Sequence, residues 1–182
     1  TPDQVSEDTV KKDDEREDLR DLKLVTIDGA DAKDLDDAVS IEKLSSDVYR
    51  LGVHIADVSH YVTEDSPLDN EAYSRATSIY LVDRAIPMLP KKLSNGICSL
   101  NPQVDRLTMS VFIEYRLHGK HGVEIIDHDI TKSVINSNHR LTYDQVQNIL
   151  ENEESSERDK YSDFVEELEM MNDLRSRLRR SR

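Results

Sequence analysis

Five aspartates fall within ten residues, and their side chains could bind a metal ion. They are Asp28, Asp31, Asp34, Asp36 and Asp37. Carboxylates this close repel one another, and burial would make some of them take up protons. A bound divalent cation removes that cost, and the oxygen ligands of carboxylates suit Mg²⁺, which also keeps water and binds substrate phosphate. The stretch therefore predicts a magnesium site, and its bland alternative is a solvated acidic loop.

The flanking segments favour the metal site. Leu24–Ile27 is rich in β-forming residues and directly precedes Asp28, while Asp37 leads into a second strand prediction at Ala38–Glu42. A carboxylate at the end of a buried strand is held rigidly, unlike one in a disordered tail. An EF-hand loop is excluded, because the twelfth residue counted from Asp28 is Val39 instead of the required glutamate.

The wider apolar pattern predicts an α+β fold, with a mixed or mainly antiparallel sheet and helices packed over it. Ser66-Pro67 is typical of a helix start, and Thr142 with Gln145 is typical of a capping box. Residues 83–105 are predicted to be rich in loops. The predicted strands are residues 24–27, 38–42, 48–55, 107–117 and 123–134, and the predicted helices are residues 67–78, 142–150 and 161–180.

Composition sets the broader limits. Residues 1–21 are predicted to form a flexible acidic leader and residues 22–182 the folded part. The net charge of −14 alone argues against a nucleic-acid partner, but it omits the charge of a bound metal. Cys98 is the only cysteine, which favours a reducing, cytoplasmic location and a buried structural thiol. No apolar run is long enough to span a bilayer.

The segment Thr26–Val39, TIDGADAKDLDDAV, resembles the signature of the catalytic RNB domain of the ribonuclease II and ribonuclease R family. The resemblance covers about residues 15–180, and the block HIADVSH is closer to the ribonuclease R branch. The chain is therefore expected to be the N-terminal part of such a domain. Further matches follow in order at Gly52–Val62, Ala76–Leu81, Ile86–Pro90, Leu93–Leu100 and Arg140–Asp144.

This resemblance implies a processive, magnesium-dependent 3′-to-5′ exoribonuclease that hydrolyses single-stranded RNA to nucleoside 5′-monophosphates. It implies that Asp28, Asp34 and Asp37 ligate one or two Mg²⁺ ions. Asp36 is then expected to be catalytic, by positioning the attacking water or a second metal. Two ions can activate a hydroxide and stabilise the leaving oxygen of an in-line displacement. Asp31 lies outside the matched positions.

The resemblance also implies that Tyr80 and Tyr143 bind RNA by stacking against nucleotides near the 3′ end. Stacking on an aromatic face tolerates any base, which suits an enzyme that degrades any RNA. Without the resemblance, each tyrosine would be interpreted as a half-buried packing residue. The expected partner is the 3′ end of single-stranded RNA, with no membrane, no organic cofactor and a monomeric chain.

Two further hypotheses stand beside the exoribonuclease interpretation. A non-catalytic RNA-binding or regulatory module on the same fold would be marked by loss of a matched aspartate, yet all four are present. A calcium-binding or acidic interaction domain unrelated to RNA is the third hypothesis. Complete family members supply a further arginine and glutamate from a later part of the domain, so this fragment is expected to be inactive alone.

His54 lies in an apolar strand and is interpreted as a hydrogen-bonded core histidine.

Overall fold

A seven-stranded sheet forms the centre of the computed structural model, which describes residues 4–12, 16–120 and 122–180. The strands are β1 (Arg16–Leu19), β2 (Leu24–Asp28), β3 (Asp37–Lys43), β4 (Val48–Ala56), β5 (Ile79–Tyr80), β6 (Ala85–Ile86), β7 (Asp105–His118), β8 (Gly122–Asn136) and β9 (His139–Thr142), of which β5 and β6 form a separate hairpin. The strand order in the large sheet is β1-β8-β7-β4-β3-β2-β9. Interior neighbours pair antiparallel, whereas β1 with β8 and β2 with β9 pair parallel at the two edges. The predicted α+β class with a mainly antiparallel sheet is confirmed.

The helices are α1 (Glu7–Lys12), α2 (Pro67–Arg75), α3 (Tyr143–Glu151), α4 (Ser156–Lys160) and α5 (Val165–Arg180). Helices α3 and α5 pack on one face of the sheet, here called the helix face. The predicted capping box opens α3, where Thr142 and Gln145 satisfy each other's backbone N–H groups. In the described part of the chain, no helix is long and apolar enough to cross a membrane.

Alternation along the strands divides the core between the two faces. On the helix face, Val25 packs with Phe164 and Leu168, and Ile41 packs with Leu174 of α5. On the opposite face, strand and loop residues form a second cluster that contains Leu24, Ala38, Ala56 and Ile135 with Leu35 and Leu100. The loop that carries the aspartates is therefore anchored in the core through Leu35.

Several boundaries differ from the sequence predictions. Helix α2 ends at Arg75, short of Ser78, because Ala76 adopts a left-handed backbone with φ of 63° and its N–H bonds Ala72 O. The predicted flexible leader contains α1 and the edge strand β1, and its residues 1–3 and 13–15 lie outside the described residues. The sequence pattern missed β1 and β9 because each has only four residues.

His54 is a buried core histidine, as the sequence indicated. Its side chain is fully buried, with Nε2 bonded to Ser40 Oγ at 3.0 Å and Nδ1 to Ser110 Oγ at 2.7 Å. Ser110 Oγ continues the network to Ser133 Oγ at 2.5 Å. Burial disfavours the charged imidazolium and lowers the pKa of His54 to about 4. Gly52 belongs to this arrangement, because a Cβ there would lie 2.2 Å from Ser40 Oγ.

We therefore expect acid to destabilise the chain through His54. Its pKa is lower in the folded chain than in the unfolded chain, so the unfolded chain binds the extra proton between pH 6.5 and 4. The stabilisation that depends on neutral His54 is fully present above pH 6.5 and is lost as the pH falls. At pH 4 the free energy of unfolding should be lower by about 3 kcal/mol for this reason. Urea unfolding at pH 7, 6, 5 and 4 measures it. The His54→Gln variant, whose carboxylates titrate as before, should show a shallower pH dependence, and equal slopes would contradict the assignment.

Candidate active site

The matched aspartates lie where β2 and β3 approach the same end of the sheet. Asp28 is the last residue of β2 and is half-buried, whereas Asp37 is the first residue of β3 and is exposed. Asp34 and Asp36 belong to the loop of residues 29–36 that joins the two strands. The predicted placement of the carboxylates between two strands is therefore found in the structure.

Two polar side chains fix the path of this loop. Arg140 Nη2 donates to Ala30 O at 3.0 Å and to Ala32 O at 2.7 Å. On the other side, Ser99 Oγ accepts from Leu35 N and donates to Lys33 O, both at 3.0 Å. Because its backbone is bonded from two directions, the loop holds its aspartates in a defined arrangement, without needing regular secondary structure.

The carboxylates also interact electrostatically. Burial raises the pKa of Asp28, and the charge of Asp37 adds to this effect, while Arg140 partly offsets it. Burial likewise raises the pKa of Asp36, with further contributions from Asp34, Asp37 and Asp28. Each raised pKa shows that the ionised form lacks compensation from the protein's own cations. A cation placed among these groups would supply that compensation.

One oxygen atom supports this interpretation directly. Asp28 Oδ2 is buried and has no hydrogen-bond partner among the described residues. A buried, unpaired carboxylate oxygen is costly, and a metal ligand is one of the few roles that explain it. Within residues 4–12, 16–120 and 122–180, no group of three or more His, Cys, Asp or Glu side chains is placed to hold one metal ion.

The residues nevertheless fit a magnesium ion in type and charge. Mg²⁺ commonly takes one or two carboxylates, keeps several waters and completes its shell with substrate phosphate. Such an ion does not need three protein ligands in one place. The assignment of Asp28, Asp34 and Asp37 as ligands stays a prediction.

The two predicted RNA-binding tyrosines lie on different sides of the aspartate loop. Tyr80, in the β5–β6 hairpin, is exposed, and its hydroxyl donates to Asp34 Oδ2 at 3.0 Å. That hydrogen bond raises the pKa of Tyr80. Tyr143, also exposed, is the first residue of α3 and follows Thr142, which pairs with Asp28 across β2 and β9. Both side chains are exposed, Tyr80 contacts a carboxylate of the loop, and the role of the two tyrosines in RNA binding stays a prediction.

A cavity of about 390 Å³ adjoins Asp34 and Tyr80. Lys33, Arg84 and Lys91 contribute cationic side chains to its lining, although Arg84 is paired with Asp83 and the lining also contains Asp31. Ser94 and Asn95 contribute polar groups. The sequence analysis did not single out these residues. Only Lys33 is close to the aspartates in sequence, and the fold brings the other residues to the cavity from positions 84–95. Such a cavity offers phosphate-binding groups beside the carboxylates despite the acidic net charge.

Two other reactive residue types have structural roles. Cys98 is buried, and burial raises the pKa of its thiol to about 11, so it remains a neutral packing group. Asp57 is also buried, accepts hydrogen bonds from Ser59 Oγ and His60 N, and pairs with Arg16. Neither side chain belongs to the aspartate site.

Comparison with known proteins gives a consistent result. Residues 16–182 match the RNB domain model. The chain is 50% identical over 159 residues to ribonuclease R 1 of Lactococcus lactis, covering 87% of this chain and 19% of that protein. It also resembles two solved structures. Mycoplasma genitalium RNase R, in complex with double-stranded RNA, gives a TM-score of 0.72 with 38% identity, covering 83% of this chain and 26% of that one. An active-site mutant of the Candida glabrata exoribonuclease Dss1 gives a TM-score of 0.82 with 26% identity. That match covers 99% of this chain and 24% of the Dss1 chain. The chain thus spans about a fifth of the length of its curated relative.

Proposed function

The chain belongs to the RNB domain family, and we propose that it forms the metal-binding part of a 3′-to-5′ exoribonuclease of the ribonuclease R type. The observation that carries the proposal is the unpaired, buried oxygen of Asp28, whose pKa, like that of Asp36, is raised by burial and by the charges of neighbouring aspartates. These groups match the family's motif in both residue type and order.

In this proposal, Asp28, Asp34 and Asp37 hold one or two Mg²⁺ ions. An ion held there would supply charge stabilisation at the scissile phosphate and would lower the pKa of a bound water. Asp36 would orient the attacking water, because its carboxylate interacts electrostatically with the other three and can accept a proton or a hydrogen bond. The hydrogen bonds of Arg140 and Ser99 to the loop backbone keep the aspartates in position during hydrolysis.

The substrate is proposed to be the 3′ end of single-stranded RNA. Tyr80 and Tyr143 present exposed rings on which bases of any type can stack. The cations of the cavity beside Asp34 are suited to the phosphates of the same strand. Processive release of nucleoside 5′-monophosphates, a monomeric state, the lack of an organic cofactor and a reducing cytoplasmic location belong to the same proposal.

A chimera tests this function. Residues 16–182 would replace the matching segment of the Lactococcus ribonuclease R 1, and the isolated chain would be assayed beside it. We expect the chimera to release nucleoside 5′-monophosphates from a 3′-labelled oligoribonucleotide in Mg²⁺, and to stop on chelation. The isolated chain, which spans a fifth of that protein, should be inactive. A chimera that folds and binds RNA without hydrolysing it would favour a non-catalytic RNA-binding module instead.

Two variants of Tyr80 should separate the role of its hydroxyl in catalysis from the role of its ring in RNA binding. Tyr80→Phe keeps the stacking surface but removes the donor to Asp34, so we expect unchanged RNA affinity and a kcat lowered by a factor of about three to ten. Tyr80→Ala removes the ring as well and should weaken RNA binding by about tenfold or more. Fluorescence anisotropy with a labelled oligoribonucleotide gives the affinity, and single-turnover assays of the chimera give the rate. Equal RNA affinities for the two variants would contradict stacking.

A further inference from the structure

Arg106 is a buried cation that bonds backbone carbonyls instead of a carboxylate. It is the second residue of β7, and only 5% of its surface is exposed. Its Nε donates to Ser99 O at 2.8 Å, its Nη2 to Gly96 O at 3.3 Å and its Nη1 to Asp105 O at 2.9 Å. Burial lowers the pKa of the guanidinium. Because a buried charge is costly unless it is hydrogen-bonded, the bonds to these carbonyls offset the cost of its position.

Two of these carbonyls belong to residues 96–100, which we call the support segment. Within it, Ser99 Oγ bonds Leu35 N and Lys33 O, both at 3.0 Å. Leu100 N also donates to Leu35 O, at 2.8 Å. Three hydrogen bonds thus join the support segment to the aspartate loop, and two of them hold Leu35 at its N–H and at its carbonyl.

Leu35 passes the position of the support segment on to two carboxylates. It lies between Asp34 and Asp36 in the chain, is only 1% exposed and belongs to the same core cluster as Leu100. The side chains of Asp34 and Asp36 branch from the backbone directly on either side of it. A shift of the support segment would therefore move both carboxylates, because it would move the backbone of Leu35.

The support segment also continues the wall of the adjoining cavity. Ser94 and Asn95, which line that cavity, lie in the helical turn Leu93–Ile97, which overlaps the segment. This turn departs from helical backbone at Gly96, with φ of −105° and ψ of −109°, and Gly96 O is one of the acceptors of Arg106. A single buried guanidinium therefore fixes both the cavity wall and the backbone that carries the aspartates.

We propose that Arg106 is a positioning residue for the metal site. Through Ser99 and Leu35 it keeps the aspartate loop in the arrangement that binds a divalent cation. The inference rests on the proposed function of the aspartates. Without the guanidinium, the loop occupies that arrangement for a smaller fraction of the time, so the apparent metal affinity falls by that fraction while the filled site stays competent. An arginine with a purely structural role would lower the melting temperature and leave the metal affinity unchanged.

Mn²⁺ binding to the intact chain, followed by the decrease of the free-ion EPR signal, tests this role without catalysis. We expect Arg106→Met to raise the apparent dissociation constant about tenfold. Arg106→Lys keeps the charge but not the planar fork of donors, so it should raise the constant about threefold, and it serves alone if Arg106→Met does not fold. In the chimera, the Mg²⁺ concentration for half-maximal single-turnover rate should rise by the same factors, with the rate recovered at saturating Mg²⁺.

Arg158→Met is the matched control. Arg158 also donates to a backbone carbonyl, Ile149 O at 2.9 Å, but its bonds within the described structure go to α3 and to Glu169 of α5. Its Mn²⁺ affinity should equal that of the unchanged chain, even where its melting temperature is lower. Equal affinities for Arg106→Lys and the unchanged chain, with an active chimera, would overturn this inference alone. An unchanged chain that binds no Mn²⁺, with an inactive chimera, would overturn it together with the proposed function.

Discussion

Replacement of Asp36 by asparagine should lower the turnover of the chimera by about a thousandfold or more, with RNA affinity almost unchanged. The amide has the shape of the carboxylate but lacks its charge and its capacity to take a proton, so it cannot orient and activate water in the same way. Asp36 is exposed, and its charge is opposed by three neighbouring aspartates. The substitution should therefore leave the melting temperature unchanged or raise it slightly. Single-turnover rates, anisotropy and thermal melts give the three quantities.

Asp31→Asn provides the matched control for this experiment. Asp31 belongs to the same loop and is also exposed, but it lies outside the positions that match the family's motif. The two variants change the net charge equally, so a general electrostatic effect on RNA binding would appear in both. We expect Asp31→Asn to retain nearly full turnover. Equal loss of turnover in both variants would remove the specific role assigned to Asp36.

The elements that carry strong local patterns were predictable from the sequence. The alternation of Leu107 to Leu117 marks a strand that pairs on both sides, and Thr142 with Gln145 forms the expected capping box. The placement of Asp28 at a strand end also followed from the apolar run before it. In these cases the same few residues determine both the pattern and the local structure, so no distant contact had to be known.

The supporting contacts of the site could not be predicted in this way. Tyr80 reaches Asp34 across 46 positions, and Arg140 reaches Ala30 across 110. Neither pair has a sequence periodicity that would bring it together, because the sheet order decides these contacts. The same applies to β1, because three of its four residues are charged, as is typical of a solvated leader. It joins the sheet as a parallel partner of β8, and Arg16 is its one buried residue.

The second large expected effect is on the stability of the fold and concerns Arg16. Its Nη2 lies 2.9 Å from Asp57 Oδ2, and the two side chains are only 1% and 4% exposed. The guanidinium also donates to the backbone oxygens of Ser133 at 2.9 Å and Thr108 at 3.3 Å. Burial by itself would raise the pKa of Asp57, but hydrogen bonds from Arg16 and Ser59 more than offset it and hold that pKa below its usual value. The pair therefore joins the supposed leader to the end of β4.

Arg16→Met should reduce the free energy of unfolding by about 3–5 kcal/mol, because it leaves the buried carboxylate of Asp57 without its cation. The double variant Arg16→Met with Asp57→Asn should recover a large part of this loss, since the asparagine carries no charge. Urea unfolding at pH 7 measures both. Arg75→Met is the matched control, because the Arg75–Glu71 pair is solvent-exposed and should contribute less than about 1 kcal/mol. A loss in Arg16→Met no larger than in Arg75→Met would show that β1 docks without this ion pair and that residues before Leu22 contribute little to the folded domain.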